Sequence, residues 1–278
     1  LTHAARGTVL VAKKDTKNAR IHLEKALALQ FNYLPAARIL AGLDMSENNP
    51  AAARLRFDAI LKKDPNDEGA LLSLADVLIS SSGTTSEITS TIERAIKANP
   101  TSVAARIALV KYLSQTGNSK SALAAAQTAV AALPSDPRIL DVQGLAQLAA
   151  GETSLAIDTF GKLASLQPDS PLPLMRLASA QYAAKQVDEP IRALRKALAM
   201  KPDLLEAQRQ IVAAQVAAGR LEDAMNEIKT IQNARPKEAV GFVMEGEVLA
   251  VQKRHVEAAA SFAEAVRRKA DPDLVVKQ

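Results

Sequence analysis

The chain has 278 residues, a formal net charge of +5, 48% hydrophobic and only 3% aromatic residues, and no cysteine. The missing cysteines exclude disulfides, thiolate metal sites and thiol catalysis, and no apolar run is long enough to span a membrane. The 35 basic residues are interspersed with 30 acidic ones. The single-face basic stripe of a nucleic-acid binder is missing, which argues against nucleic acid as a partner. The charge serves instead to keep a long apolar surface soluble.

Alanine and leucine dominate, and most glycines and prolines fall between apolar runs. Alanine has the highest helix propensity and lets helix backbones approach, and no strand-period alternation is visible, so the expected class is all-α. Pro65, Pro100, Pro134, Pro168, Pro202 and Pro236 set a ruler with intervals of 35, 34, 34, 34 and 34 residues. Phe31 and Ala270 occupy the equivalent places at the two ends. The ruler divides the chain into about eight units: 1–33, 34–67, 68–102, 103–136, 137–170, 171–204, 205–238 and 239–272. Each holds two amphipathic segments, helix A and helix B.

In chain order, Leu1 falls at the second position of its unit, so the sequence opens inside a helix A. In the second unit Asn48 and Asn49 separate the helices and Pro50 starts helix B. The third has the loop Ser80 to Ser86, one residue longer than its counterparts; it reads as a surface turn. Gly117, Gly151 and Gly219 stand between helices A and B of the fourth, fifth and seventh units, where a left-handed C-cap is needed. Asp136-Pro137 and Ser170-Pro171 put an N-cap acceptor before a proline at the first helical position. In the sixth unit Pro190 occupies a position otherwise held mostly by alanine, and Asp188 is expected to cap that helix so that Pro190 lies in its first turn. Arg267-Arg268-Lys269 ends the last helix B, where cations complement the macrodipole. Residues 273–278 read as the start of a truncated ninth unit. With neither end capped by a polar helix, the chain is expected to be a fragment of a longer array, open to end-to-end self-association through its termini. Because Leu1 is not a natural start, an upstream export signal is expected to have been removed; no signal peptide lies in this chain.

No chemistry stands out from this frame. His3, His22 and His255 are far apart on the ruler and read as surface helix residues, so no metal site is expected. Thr116 to Ser121 lacks the spacing of a phosphate loop. Asp64, Asp67, Glu68, Asp169 and Asp203 gather at helix N-termini, where carboxylates are favoured. With no Ser-His-Asp set and no paired carboxylates in a cleft, the reading is of a non-enzyme without a cofactor.

The period of 34 with two helices per unit resembles the tetratricopeptide repeat. That family places a small residue at repeat position 8, here Gly7, Ala41, Ala75, Val110, Gly144, Ala178, Val212 and Gly246. It places a bulky one at position 24, here Leu23, Phe57, Ile92, Ala126, Phe160, Leu194, Ile228 and Phe262. Small residues at positions 20 and 27 and proline at 32 complete the match across essentially the whole chain. The resemblance implies an α-solenoid, a right-handed superhelix of helix-turn-helix repeats, whose helices A line a groove through positions 2, 5, 9 and 12. Those positions include Arg38, Asp76, Lys111, Arg138, Asp141, Leu145, Leu148, Met175, Tyr182, Glu206, Arg209 and Glu247, with Ile79 and Leu172. An apolar groove with isolated charges suits an extended peptide or amphipathic helix, and Tyr182 combines an apolar body with a polar tip. The clamp of chaperone-docking repeats, lysine at position 5 with asparagine at 9, is replaced here by Arg209 with Ala213, Arg38 with Gly42 and Ile107 with Lys111.

The runs GLAQLAAGETSLAIDTFGKLASLQPDSPLPLMRLASAQYAAK, LRKALAMKPDLLEAQ and ARPKEAVGFVMEGE resemble the repeat lipoproteins of bacterial exopolysaccharide and PEP-CTERM protein-sorting systems. That resemblance implies a periplasmic, outer-membrane-anchored scaffold that binds protein segments in its groove. Direct guidance of polysaccharide and a generic peptide-binding adaptor are the alternatives.

Overall fold

The computed structural model describes residues 2–269, and every regular element among them is an α-helix. The residues divide into two compact units, Leu1–Val142 and Gln143–Gln278. The first holds α1 Thr2–Ala12, α2 Thr16–Leu29, α3 Leu34–Ser46, α4 Pro50–Lys63, α5 Glu68–Ser80, α6 Thr85–Ala98, α7 Val103–Gln115 and α8 Ser119–Ala132. Helix α9, Pro137–Ala149, contains the division. The second unit continues with α10 Thr153–Leu166, α11 Pro171–Ala183, α12 Asp188–Met200, α13 Leu205–Ala217, α14 Leu221–Ala234, α15 Val240–Val251 and α16 His255–Lys269. Odd-numbered helices are the expected A helices and even-numbered ones the B helices. The expected ninth repeat at 273–278 and the position assigned to Leu1 lie outside the described residues.

The A-to-B turn is the same device eight times. One residue takes a left-handed conformation: Lys14, Asn48, Ser82, Gly117, Gly151, Lys185, Gly219 and Lys253. In each turn that residue's amide bonds back to the carbonyl three residues earlier, and the next amide reaches five residues back. Gly117 N to Ser114 O is 3.2 Å and Asn118 N to Leu113 O is 3.1 Å. This is the Schellman closure, which satisfies the helix's last carbonyls. In six of the turns the second residue also opens helix B; Asp15, Asn49 and Asn118 then cap it, each side chain accepting the amide three residues on. The glycines and Asn48 fall where the sequence places them, whereas Lys14, Lys185 and Lys253 adopt the same conformation without a glycine signal. In the longer third turn Ser82, not Gly83, is left-handed (φ 56°). A Cβ on Gly83 would make a tight contact with the Leu78 carbonyl oxygen, at 3.0 Å.

Two capping expectations are corrected. Helix α12 begins at Asp188 itself, preceded by Val187 with no side-chain cap. Asp188 instead accepts a hydrogen bond from Arg220 Nη1 at 2.6 Å, and this ion pair draws its carboxyl below the ordinary range. Pro190 nonetheless sits in the first turn, where no amide is missed. Ser170 precedes α11 but makes no capping hydrogen bond. Asp136 does cap α9, accepting from Arg138 N at 2.9 Å.

Helix A meets helix B where the small residue faces the bulky one. A Cβ on Gly144 would stand only 2.4 Å from Phe160 Cζ, and that ring is fully buried. A Cβ on Gly246 would stand 2.6 Å from Phe262 Cε1, and one on Gly7 2.6 Å from Leu23 Cγ. Phe262 keeps 38% of its surface exposed, unlike Phe57 and Phe160. From these seams the apolar cores extend within each unit. In the first, Phe57, Leu71, Leu74, Ile88 and Ile92 join α3 to α7. In the second, Leu194 and Ile211 join α11 to α13, and Ile228, Ile231 and Met244 join α13 to α15.

Repeat position 11, on the buried side of helix A, varies more. It is Leu78, Leu113 and Leu249 in three repeats, all buried. In the second repeat it is Asp44, 3% exposed. Arg20 Nη1 and Arg56 Nε donate to its two oxygens at 2.6 and 2.9 Å, and the same arginines reach Glu47 and Glu24. This five-member chain of alternating charge ties α2, α3 and α4 together and satisfies a carboxylate that would otherwise be costly to bury. In the next unit position 11 is Gln147, Gln181 and Gln215, one repeat apart, each with a buried side-chain oxygen lacking a protein partner.

Two substitutions test these accounts. Gln215→Leu, which installs the residue of the leucine repeats and removes an unpaired carbonyl, is expected to stabilise the second unit by about 1 kcal/mol in urea unfolding. Gly117 has open space around its Cβ position and φ +74°. Gly117→Ala therefore isolates the backbone cost and is expected to destabilise by about 1 kcal/mol.

Candidate functional site

Two cavities open on A-helix surfaces, one within each unit. The cavity in the second unit, about 500 Å³, lies across α11, α13 and α15. Its lining brings together Tyr182, Glu206, Arg209 and Glu247, four of the residues chosen from the sequence, over Val212, Val216, Met244, Val248 and Val251. Tyr182 is half exposed, so its ring and hydroxyl both reach the opening. Glu206 Oε1 accepts from Gln210 Nε2 at 3.1 Å, holding that carboxylate along the helix. The site is an apolar floor ringed by one guanidinium, two carboxylates and a phenol.

The cavity in the first unit, about 270 Å³, is lined by Arg38, Gly42, Met45, Ser73, Asp76 and Ser80 among others. Arg38 Nε donates to Ser73 Oγ at 2.7 Å, and Ser73 donates onward to Gly69 O at 2.7 Å. Arg38 is thereby fixed beside Asp76. The Asp76 side chain reaches solvent, yet the protein crowded around it raises its carboxyl above the ordinary value, with Arg38 opposing the shift.

The other sequence-chosen residues are not gathered into either cavity. Arg138 turns back onto Asp136, Nη2 to Oδ2 at 2.7 Å and Nε to Oδ1 at 3.1 Å. Asp141, Leu145, Leu148 and Met175 are half-buried, Met175 against the core around Leu194. Lys111, Ile79 and Leu172 are exposed. The floor residues Val212, Met244, Val248 and Val251 were missed because they lie outside positions 2, 5, 9 and 12; Val216 lies at position 12 and was within reach of that rule.

Asp64 stands at the C-terminal end of α4, not at a helix N-terminus as expected, and two of the other acidic residues near the repeat prolines have structural partners. Asp67 caps α5, accepting from Ala70 N at 2.8 Å. Glu68 accepts from Asn99 Nδ2 at 2.6 Å and from Ser102 Oγ, joining the two ends of the third unit. One expectation about histidines is corrected: His3 and His22, which the ruler separates, face each other across the α1–α2 hairpin, with Nδ1 atoms 3.0 Å apart.

Residues 89–137 and 142–204 match the tetratricopeptide repeat model TPR_16. Over those residues the sequence matches the tetratricopeptide repeat. No curated protein matches the sequence. Among solved structures, a tetratricopeptide repeat protein from Parabacteroides merdae superposes with TM-score 0.62 at 15% identity, covering 88% of this chain and 96% of that one. The C-terminal part of a TPR repeat-containing protein from Cytophaga hutchinsonii gives TM-score 0.61 at 16% identity, over 84% of this chain and 95% of that one. At such identities the likeness is one of fold. The fold is that of a tetratricopeptide-type α-solenoid, and each cavity lies on A helices of its own unit.

The raised Asp76 carboxyl carries a pH dependence. A carboxyl whose folded pKa exceeds its unfolded one takes up a proton preferentially in the folded chain. Stability then rises as pH falls through the folded value and levels off below the unfolded one. Asp76→Asn is accordingly expected to raise the melting temperature at pH 7 and to leave it unchanged at about pH 3, where both chains are neutral at this position.

Proposed function

We propose that this chain is a protein–protein interaction scaffold whose A-helix grooves bind segments of partner proteins. The observation that carries the reading is the cavity across α11, α13 and α15. Two successive repeats supply its apolar floor, and Tyr182 from the repeat before them joins Glu206, Arg209 and Glu247 as points of polarity. That pairing suits a peptide in extended or helical form: apolar side chains fill the floor, and the charged rim sets register. Tyr182 is the one aromatic in the lining. A polymer guide would use several aromatic platforms, so a protein ligand fits better than a polysaccharide.

The setting we propose is a bacterial envelope exopolysaccharide or PEP-CTERM sorting system, with the chain held in the periplasm as part of an outer-membrane lipoprotein. Its support is the sequence resemblance in residues 144–185, 194–208 and 234–247. In that setting the scaffold would gather components of the export machinery by presenting a preformed surface, without performing chemistry.

The test is selection of ligands from a random peptide library, followed by titration of the best peptide. Tyr182→Ala combined with Arg209→Ala is expected to weaken binding at least about tenfold, roughly 1.4 kcal/mol. Thr128→Ala, on a B helix of the other unit, is expected to leave it unchanged. Equal affinity for all three chains would place the ligand elsewhere.

A further inference from the structure

Another cavity of the first unit, about 660 Å³, lies among α6, α7 and α8 and is not part of the A-helix grooves described above. Helix α7 forms its deep side with Arg106, Leu109 and Leu113. The B helices α6 and α8 form its walls, where small side chains such as Thr89, Ser121 and Ala124 leave room between them. No aromatic ring lines it.

Arg106 sets this cavity apart. It is 8% exposed, the one basic side chain so deeply buried among the described residues. Its Nε and Nη2 both donate to the Pro100 carbonyl, at 3.2 and 2.7 Å, and its Nη1 has no protein acceptor. Arg235 and Arg268 also hold loop carbonyls, those of Asp203 and Pro236, but each has a carboxylate beside it, Glu238 or Glu264. Arg106 has none. Arginine does not give up its proton in proteins, and a buried charge without a counter-charge is costly. Glu93 and Lys97, one turn apart on α6, line the same cavity and are exposed. Their charges offset each other, which leaves the charge of Arg106 as the excess.

We propose that this cavity is a second docking site, which takes an amphipathic helix of a partner protein through a carboxylate seated on Arg106. Arg106, Leu109 and Leu113 follow one another at steps of three and four residues, so they form a single stripe along α7. The complementary stripe is an aspartate or glutamate followed, one and two turns on, by apolar residues. The carboxylate accepts from the guanidinium in a charge-assisted hydrogen bond, and the apolar residues cover Leu109 and Leu113. An acidic polysaccharide would bring the same carboxylate chemistry. A groove with an apolar floor and no aromatic platform favours the protein helix over it.

The test is selection from a random peptide library on the full chain carrying Tyr182→Ala and Arg209→Ala, which takes the α11–α13–α15 groove out of the reading. The selected peptides are expected to share an acidic residue at a fixed helical spacing from apolar ones. Replacing that residue by its amide, or introducing Arg106→Gln, is expected to weaken binding at least about tenfold. Because Arg106→Gln also disturbs the bond to Pro100, Ala124→Phe serves as a second variant. It fills the groove from an exposed position on α8 and leaves Arg106 intact, and it is expected to abolish binding with an unchanged far-ultraviolet circular dichroism spectrum. Arg94→Gln, at an exposed arginine of α6 outside the lining, is expected to bind as before. Selection of no peptide, selected peptides without a shared acidic residue, or affinity unchanged by both Arg106→Gln and Ala124→Phe would overturn the proposal. So would Arg106-dependent binding of an oligouronate in place of any peptide, which would assign the cavity to acidic polysaccharide.

Discussion

Every repeat depends on how closely helix A can lie against helix B. In most repeats the distance is set by one contact, a small residue on A against a bulky side chain on B; the fourth holds Val110 and Ala126 at those positions. At Gly144 and Phe160 the ring occupies the space that a Cβ would need, and the aromatic is thereby wholly removed from water. A protein with so few aromatics obtains its core by distributing such seams through the chain instead of concentrating large side chains in one place. Each seam buries one face of a helix pair, and the neighbouring repeat covers the other, as expected for an array stabilised by repeat and nearest-neighbour terms. The uniform Schellman turns then fix how each A helix hands over to its B helix. Within each unit, the A-helix surface on which the cavity opens follows from these two constraints.

Much of this was legible in the sequence, for a physical reason. A period of 34 residues repeats the same steric demand, so the small residue, the bulky residue and the proline recur in register. Glycine at Gly117, Gly151 and Gly219 marks a left-handed turn because a Cβ is disfavoured there. The same turn at Lys14, Lys185 and Lys253 gave no local sign, since neighbouring packing can hold a lysine in that conformation. The caps at Asp188 and Ser170 were misread because an acceptor before a helix does not reveal whether a stronger partner, such as Arg220, claims it.

Pairings between elements were the least legible part. Nothing local announces that Asp44 draws Arg20 and Arg56 from two other helices, or that His3 meets His22. Those contacts depend on where a hairpin brings its two arms, at separations a linear ruler does not register. The candidate groove lies between these cases. Repeat position selects the right helix face, and so finds Tyr182, Glu206, Arg209 and Glu247, but it cannot say which side chains a local partner will hold. Arg138 is turned away by Asp136, while the valine and methionine floor, Val216 apart, comes from positions one step outside the rule.

The central claim is that the seam between a small residue and a bulky one carries each repeat, and a double-mutant cycle at Gly144 and Phe160 tests it most directly. The account predicts that Gly144→Val alone destabilises the second unit by about 2–3 kcal/mol through overpacking, and that Phe160→Ala alone costs about 3–5 kcal/mol. In urea unfolding the two together should cost less than their sum by more than about 1 kcal/mol, because the valine occupies space the ring vacates. Additive costs, within about 0.5 kcal/mol, would show that the two positions do not share one steric constraint and would contradict the account.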